Sequence, residues 1–479
     1  MTALYWGEQN KAEMDDDVYM NYNFSMEKIV LIIVMVTSFL TPFSASAITI
    51  ALPTIGAEFK AGPVLLSWVI GVFLLVTAAC LLPLGRLADI VGRKKVFALG
   101  VVLFTISSLM SGFSWSMMTL ILFRVGQGIA SAMIFSTGMA IVSLVYPAET
   151  RGKAMGFIAA AVYIGLSLGP VLGGILNYYV GWRSIFYFTA LLSGFVSLLT
   201  IWRLKGEWIS NKGEKFDKLG SLGYMIALVS ILYGLSEITR ATWAKYVMVV
   251  GVCLLLVFLY YQWKQDCPIF PVRLFWSNQV FAFSNLAAMI NYSATFAISF
   301  LLSLYLQVIM GYDSQISGVI LLVQPLVMAF ISPFAGSLSD RIEPAIVSSC
   351  GMAVSTVGLA YFIFITPKTS IWMIIADLAL IGLGFALFSS PNNNAIMGSV
   401  EKKYLGAAAS ALGTMRLIGQ ALSMAIVTLL LSGNSGSNAG MGFTEQLVQD
   451  FHLAFIIFTI ICGIGVLPSL VRGKVKSVG

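Results

Sequence analysis

Long apolar runs separated by short polar segments dominate this chain of 479 residues. A helix that crosses a bilayer needs about 20 mostly apolar residues, and fourteen such runs can be placed along the sequence. The pattern therefore predicts an all-α polytopic membrane protein. The predicted spans cover residues 28–53, 66–85, 96–114, 117–145, 154–177, 184–203, 219–238, 246–263, 280–307, 317–338, 345–366, 371–399, 405–431 and 451–471.

The basic residues predict the orientation of the chain. An even number of spans places both termini on one side, and 21 of the 28 Lys and Arg residues then fall in the tails and loops of that side. Five fall in the opposite loops, and two, Arg124 and Arg416, fall inside predicted spans. Because cytoplasmic loops carry an excess of Lys and Arg, both termini are expected to be cytoplasmic.

Composition excludes several classes of protein. Hydrophobic residues make up 58% of the chain and charged residues 10%, whereas soluble domains average about 25% charged residues. A soluble enzyme and a disordered protein are thereby excluded. The net charge of +7 is explained by loop anchoring, so no nucleic-acid partner is expected. Five scattered cysteines and a single histidine give no metal-ligand pattern, and we expect no metal, no cofactor and no enzymatic activity.

A repeated motif predicts two halves. Gly85-Arg-Leu-Ala-Asp89 follows the second predicted span, and Gly336-Ser-Leu-Ser-Asp-Arg341 follows the tenth. If the seventh and eighth spans are an insert, each half has six spans, as in transporters built from duplicated bundles. The predicted organisation is a cytoplasmic tail (1–26), a six-helix bundle (27–203), a linker with two inserted spans (204–278), a second six-helix bundle (279–472) and a cytoplasmic tail (473–479).

The loop between the second and third spans carries a carboxylate among basic residues. Asp89 could form ion pairs with its neighbours and latch one conformation at the cytoplasmic face, although such a loop could also be only a topology anchor. The loop resembles the signature of the major facilitator superfamily, which implies a cytoplasmic gate. The residues assigned to this gate are Gly85, Arg86, Asp89, Gly92, Arg93, Lys94, Asp340 and Arg341.

The fourth predicted span contains Arg124 about eight residues from its start. A charged residue inside a span costs about 2.5–3.5 kcal/mol on insertion scales and is seldom retained without a role. The alternative is an arginine that reaches an interface. The segment Arg124-Val-Gly-Gln127-Gly resembles the helix 4 motif of the superfamily, which implies proton coupling or substrate binding for Arg124.

The fifth predicted span carries glycines at helical spacing around a proline. Such a stripe allows a neighbouring helix to pack closely, and packing alone could explain it. The stripe also resembles the antiporter signature of the superfamily, which is found in exporters, and so implies export. The residues assigned to it are Gly165, Gly169, Pro170, Gly173 and Gly174.

The end of the first predicted span, Ala51-Leu52-Pro53, resembles the fourteen-helix drug:proton antiporter family of the superfamily. That family often has an aspartate at the position aligned with Ser44. The resemblance therefore implies a multidrug efflux transporter in which one expected proton site is absent.

Other polar residues inside the predicted spans are candidates for the proton and substrate sites. Asp377, a lone carboxylate in an apolar run, is either a proton carrier or a structural hydrogen-bond partner. Arg416 could pair with Asp377 or pack against backbone carbonyls. The candidate cavity residues, which could equally hold helices together, are Gln127, Asn285, Asn291, Gln324 and Asn392.

The sequence thus predicts a secondary transporter in the plasma or inner membrane that exchanges protons for outgoing lipophilic or cationic drugs by alternating access. Its expected partners are a small-molecule substrate, protons and the bilayer, and we expect a monomer. No phosphate-binding loop of the ATPase type is present, so the proton gradient is the expected energy source. Three alternatives stay open: an exporter of a metabolite, sugar or lipid precursor, a proton symporter, and a membrane sensor that transports nothing.

Overall fold

A computed structural model of the chain describes most of its length. The described residues are 16–146, 148–204, 206–209, 214, 216–238, 241–265, 268–339, 341–400, 405–433 and 443–473.

The described residues form helices joined by short connections and contain no strands. Fourteen segments are long and apolar enough to cross a membrane, which confirms the predicted number. The α-helices are α1 (Asp16–Phe59), α2 (Pro63–Val91), α3 (Arg93–Gly112), α4 (Met117–Val145), α5 (Ala148–Tyr179), α6 (Arg183–Arg203), α7 (Lys218–Glu237), α8 (Ala244–Lys264), α9 (Val272–Ser277), α10 (Gln279–Thr295), α11 (Ile298–Leu304), α12 (Ser314–Leu321), α13 (Val323–Ser339), α14 (Pro344–Phe362), α15 (Ile371–Gly398), α16 (Leu405–Gly433) and α17 (Phe443–Val471).

Local sequence signals set where several helices begin. Pro63 lies in the first turn of α2, where a missing backbone N–H costs nothing. Ser116 and Thr119 form a capping box before α4. The Asp313 carboxylate accepts a hydrogen bond from the Ile316 backbone N–H at the start of α12.

Two of the spans are broken within the membrane. The ninth consists of α10, α11 and a π-helical turn at Tyr305–Ile309. At the break the Ala297 N–H donates to the Ser423 hydroxyl of α16 at 3.1 Å, which satisfies this backbone donor inside the membrane. The tenth span changes from α12 to α13 shortly before Pro325, which has no N–H to donate to the preceding turn.

The two halves repeat the same packing. In the first bundle α1 packs on α5, α2 on α4, and α3 on α4 and α6. In the second, α10 packs on α16, α13 on α15, and α14 on α15 and α17. These pairs correspond when α7 and α8 are left out, as the repeated loop motif predicted. The fold is therefore two six-helix bundles with two inserted helices.

The inserted helices lie over the contact between the bundles. The bundles meet where α2 packs on α16 and where α5 packs on α12, and α7 packs on both α2 and α16. The Tyr224 hydroxyl of α7 donates to the Ala78 carbonyl of α2 at 3.1 Å. The Trp68 indole donates to the Glu237 carboxylate at 3.3 Å. Since α8 packs mainly on α7, it lies at the periphery.

The bundles are joined at one face of the membrane. We call the face at which α1 begins and α17 ends the terminal face, and the opposite face the distal face. Within the described ranges, hydrogen bonds between the bundles lie in the distal halves of the helices. They join Ser303 to the Thr49 carbonyl (2.9 Å), Gln307 to the Ile50 carbonyl (3.0 Å), Ser314 to the Gly174 carbonyl (3.2 Å) and the hydroxyls of Ser67 and Thr428 (2.7 Å).

The last helix is longer than predicted at its start and better buried at its end. It begins at Phe443 instead of residue 451, so Asp450 lies inside it and is buried. Arg472, the last residue of the predicted second bundle, is 1% exposed. Burial lowers the pKa of the Arg472 guanidinium to about 10, so the group stays charged at neutral pH.

Candidate functional site

The loop between α2 and α3 is built around Gly92. This residue has φ +125°, a conformation that favours glycine, and a Cβ added there would overlap the Glu207 carboxylate. The same carboxylate accepts a hydrogen bond from the Lys94 N–H at 2.9 Å, and the Arg93 N–H donates to the Trp208 carbonyl at 3.0 Å. The segment after α6 therefore caps the start of α3.

The ion pairs of this loop lie within the first bundle and the following linker. Arg93 pairs with Asp89 at 2.8 Å, and Arg86 pairs with Glu214 of the linker. Asp340, the matching carboxylate of the second half, lies outside the described residues, and Arg341 is exposed. The predicted ion-pair cluster thus forms in part, with Glu214 as a partner that the loop sequence alone did not indicate.

We expect Glu207→Ala to destabilise the protein by about 1 kcal/mol, because the start of α3 loses its only side-chain acceptor among the described residues. Thermal unfolding of the purified protein would show this as a lower melting temperature. Glu207→Gln keeps an acceptor oxygen and should lose less than half as much. Equal losses in the two variants would contradict the capping role.

Arg124 of α4 is completely buried and holds three helices together. Its guanidinium donates to the Val69 carbonyl at 3.0 Å, to the Ser44 hydroxyl at 3.3 Å and to the Gln127 side chain at 2.8 Å. It also lies 4.3 Å from the centre of the Phe73 ring. Its Nη2 is buried without a hydrogen-bond partner. The buried positive charge of Arg124 therefore lies beside the Ser44 hydroxyl. The family resemblance implies an aspartate at the position of Ser44.

The glycine stripe of α5 faces two different helices. A Cβ added at Gly165, Gly169 or Gly173 would lie 2.5–2.8 Å from atoms of α1. A Cβ at Gly174 would lie 2.5 Å from the Ser314 carbonyl oxygen of α12, in the other bundle. Pro170 lies within α5, and its carbonyl oxygen contacts Gly318 of α12. The stripe thus brings α5 close to its own bundle and to the second bundle.

The structure does not bring Asp377 and Arg416 together. Asp377 is 4% exposed and faces α14, where a Cβ at Gly358 would lie 3.1 Å from its Oδ1. Its Oδ2 is buried and has no hydrogen-bond partner. Arg416 donates instead to the Tyr292 hydroxyl, from Nε at 2.7 Å and from Nη2 at 2.6 Å.

A group of aromatic residues surrounds this arginine. The Tyr292 and Phe385 rings meet edge to face with centroids 5.2 Å apart, and Met328 and Tyr163 pack against them. These residues and Arg416 lie near the middle of five membrane spans, to which α5, α10, α13, α15 and α16 belong. We call Tyr163, Tyr292, Met328, Phe385 and Arg416 the central cluster. Both bundles contribute to it.

The predicted cavity residues lie apart from one another. Gln127 donates to Ser108 at 2.7 Å between α3 and α4. Asn285 donates to its own helix at the Phe281 carbonyl. The structure describes no hydrogen bond for Gln324, which is buried. Asn291, next to Tyr292, is buried with neither side-chain oxygen nor nitrogen paired.

Asn392 belongs to a junction at the terminal face. Its side-chain oxygen accepts from Arg472 at 2.7 Å and its nitrogen donates to the Ser284 carbonyl at 3.1 Å. Arg472 also donates to the hydroxyls of Ser284 and Ser348. The junction ties the end of α17 to α10, α14 and α15.

Sequence reasoning missed the aromatic residues and the methionine of the central cluster. Tyr163, Tyr292, Met328 and Phe385 are ordinary residues for a membrane helix, and each was one of many. The usable signal was their common depth, because each lies near the middle of its membrane span. Depth becomes informative only when the helices that face one another are known.

Comparison with known proteins identifies the family. The sequence model of the Major Facilitator Superfamily matches residues 34–424 and 284–477 of this chain. The riboflavin transporter RibZ of Clostridioides difficile is 30% identical over 92% of this chain and 96% of its own length. The multidrug resistance protein Stp of Mycobacterium tuberculosis is 28% identical over 82% of this chain and 74% of its own length.

The fold comparison agrees. The crystal structure of a bacterial homologue of the human lysosomal transporter Spinster superposes with a TM-score of 0.66 at 17% identity, covering 93% of this chain and 97% of that one. The fourteen spans and these relatives make the protein a multi-pass protein of the cell membrane. The chain belongs to the Major Facilitator Superfamily, a family of transporters.

Proposed function

We propose that this protein exports small lipophilic, drug-like molecules by alternating access, in exchange for protons. The observation that carries the proposal is the arrangement of α5, whose glycines contact α1 in its own bundle and α12 in the other. Close small-residue contacts let two packed bundles rock without first unpacking bulky side chains. The excess of Lys and Arg in the loops of the terminal face supports a cytoplasmic position for that face. The conformation described here is then closed to the outside.

The proton would be carried by Asp377. Burying an ionised carboxylate that has no partner is costly, so we propose that this residue is protonated while α14 and α15 are packed as described. Movement that exposes Oδ2 would release the proton. Arg124, whose Nη2 is unpaired, would be the charged group of the first bundle that responds to the release of this proton. The proton site would then lie about 12 Å along α15 from Phe385 of the central cluster, since eight residues separate them.

The relatives support two substrate classes. Stp is named a multidrug resistance protein, which supports export of drug-like compounds. RibZ is named a riboflavin transporter and matches nearly the whole chain, so a dedicated transporter of riboflavin or a similar aromatic metabolite is the second candidate.

The test is transport by purified protein in liposomes with an acid interior, using ethidium and riboflavin as separate substrates. Proton-coupled export predicts accumulation that a protonophore abolishes. Accumulation of riboflavin alone would favour the second candidate. A second outcome would contradict proton coupling. It is found if the folded protein exchanges both compounds across liposomes with an equal pH on each side but accumulates neither in response to a pH gradient.

Arg124→Gln should reduce gradient-driven accumulation at least about tenfold, because the buried charge that links α1, α2 and α4 is lost. Arg273→Gln removes an exposed arginine outside the spans and is the matched control. Both variants should reach the membrane in normal amounts. Unchanged accumulation by Arg124→Gln would contradict its role in coupling.

A further inference from the structure

The two arginines inside the second bundle, buried Arg472 and half-buried Arg416, are held differently. Arg472 uses Nη1 and Nη2 in hydrogen bonds to side chains of three helices, as expected of a structural residue. Arg416 uses only Nε and Nη2, and both donate to the same hydroxyl of Tyr292. The structure describes no hydrogen bond from its Nη1, and that atom is not among the buried unpaired ones. A charged donor of Arg416 is therefore accessible.

No described carboxylate balances this charge. The ionisable side chains close to Arg416 are Tyr292 and Tyr163, and the described chain has no ion pair to the arginine. Asp377 faces α14 instead. A positive charge in a low-dielectric region attracts an anion or an acceptor oxygen and repels a cation. The uncompensated positive charge of Arg416 at the centre of the molecule therefore disfavours the binding of cationic drugs.

The surroundings of Arg416 are aromatic and come from both bundles. The guanidinium carbon lies 4.9 Å from the centre of the Tyr292 ring, which meets Phe385 edge to face. Met328 supplies a flexible apolar side chain that adapts to ligand shape. Tyr163 brings the first bundle into contact with the cluster. A planar ring could pack among these side chains while its oxygen reaches Nη1.

We propose that the central cluster is the substrate site and that it selects aromatic molecules bearing a carboxylate or conjugated carbonyl oxygen, with Arg416 as the recognition residue. The proposal rests on the export function proposed above and narrows its substrate class. Guanidinium groups bind such oxygens through directed hydrogen bonds that an ammonium or an apolar residue cannot reproduce. Cationic dyes should bind more weakly than anionic dyes of similar shape, so ethidium should accumulate less than an anionic dye in the liposome assay. Because Tyr163 belongs to the other bundle, rocking of the bundles would alter the site.

Binding of two xanthene dyes to the full-length protein in detergent tests the proposal without a pH gradient. Fluorescein at mildly alkaline pH is an anion with a carboxylate, and pyronin Y is a cation with a similar ring system. Fluorescence anisotropy should give at least about tenfold tighter binding of fluorescein, and Arg416→Gln should remove that advantage. Arg203→Gln, which removes an exposed arginine at the end of α6, should leave both affinities unchanged.

A second pair of variants covers the case in which Arg416→Gln fails to fold. Arg416→Lys keeps the charge but loses the planar donors, and should weaken fluorescein binding while retaining the preference over pyronin Y. Tyr292→Phe frees the donors of Arg416 and should leave fluorescein binding intact or stronger. Tighter binding of pyronin Y to the unaltered protein, or fluorescein binding that survives in a folded Arg416→Gln variant, would overturn the proposal. Either result would leave proton-coupled export itself standing, because that is measured separately in liposomes.

Discussion

Replacing Gly318 with alanine should shift the protein away from the conformation that is closed at the distal face. A Cβ at this position would overlap the Pro170 carbonyl oxygen, which belongs to the backbone of α5 and cannot turn aside. The overlap would push α12 away from α5 at the contact between the two bundles. Transport should fall at least about tenfold, because alternating access needs both conformations to be populated.

A disulfide across the distal contact measures this shift. Ser67 and Thr428 lie in different bundles and their hydroxyl oxygens are 2.7 Å apart, so cysteines at these two positions should cross-link in the closed conformation. The pair is placed in a background without the native cysteines. Adding Gly318→Ala should lower the cross-linking yield, while the melting temperature should fall only modestly.

Two other glycines serve as comparisons. A Cβ at Gly223 of α7 would meet no atom within 4 Å, so Gly223→Ala should change neither transport nor cross-linking. A Cβ at Gly173 would lie 2.8 Å from the Ala47 Cα within the first bundle, so Gly173→Ala should lower stability more than it alters the yield. If Gly318→Ala cross-links and transports normally, the close contact of α5 with α12 does not control the conformation.

The number and nature of the membrane helices could be predicted from the sequence because each depends on a local property. A run of apolar residues must be helical to satisfy its backbone in lipid, whatever its neighbours are. The repeated loop motif was enough to predict two halves and an insert. The beginning of α17 was missed because polar residues such as Asp450 interrupt the apolar run that the prediction followed.

Side-chain partners could not be predicted in the same way, because they depend on how helices face one another. Asp377 and Arg416 are both charged and both lie within spans, yet one faces α14 and the other faces Tyr292. Arg472 follows the last predicted span and nothing in the sequence around it indicates burial, but the packing of α17 carries it into a buried junction. Glu207 has no motif of its own, and only the path of the linker brings it to Gly92.

Replacing Asp377 with asparagine should abolish proton-driven accumulation while the protein still folds. Asparagine has nearly the same shape as a protonated aspartate, so it fits against Gly358 without adding charge to the contact of α14 with α15. It cannot release a proton. The variant should therefore behave at all times like the protein with protonated Asp377. Accumulation against a gradient should fall at least about tenfold. Accumulation in acid-inside liposomes measures this directly.

Exchange without a pH gradient separates coupling from general damage. If Asp377 only carries the proton, the asparagine variant should still exchange labelled for unlabelled substrate across liposomes with equal pH on both sides. Asp313→Asn is the matched control, because Asp313 is exposed and asparagine also serves as an N-cap. Loss of both activities would assign Asp377 a structural role between α14 and α15. Normal accumulation would show that protons are coupled at another group. The remaining candidate for coupling is then Arg124, whose buried charge ties α4 to the first two helices.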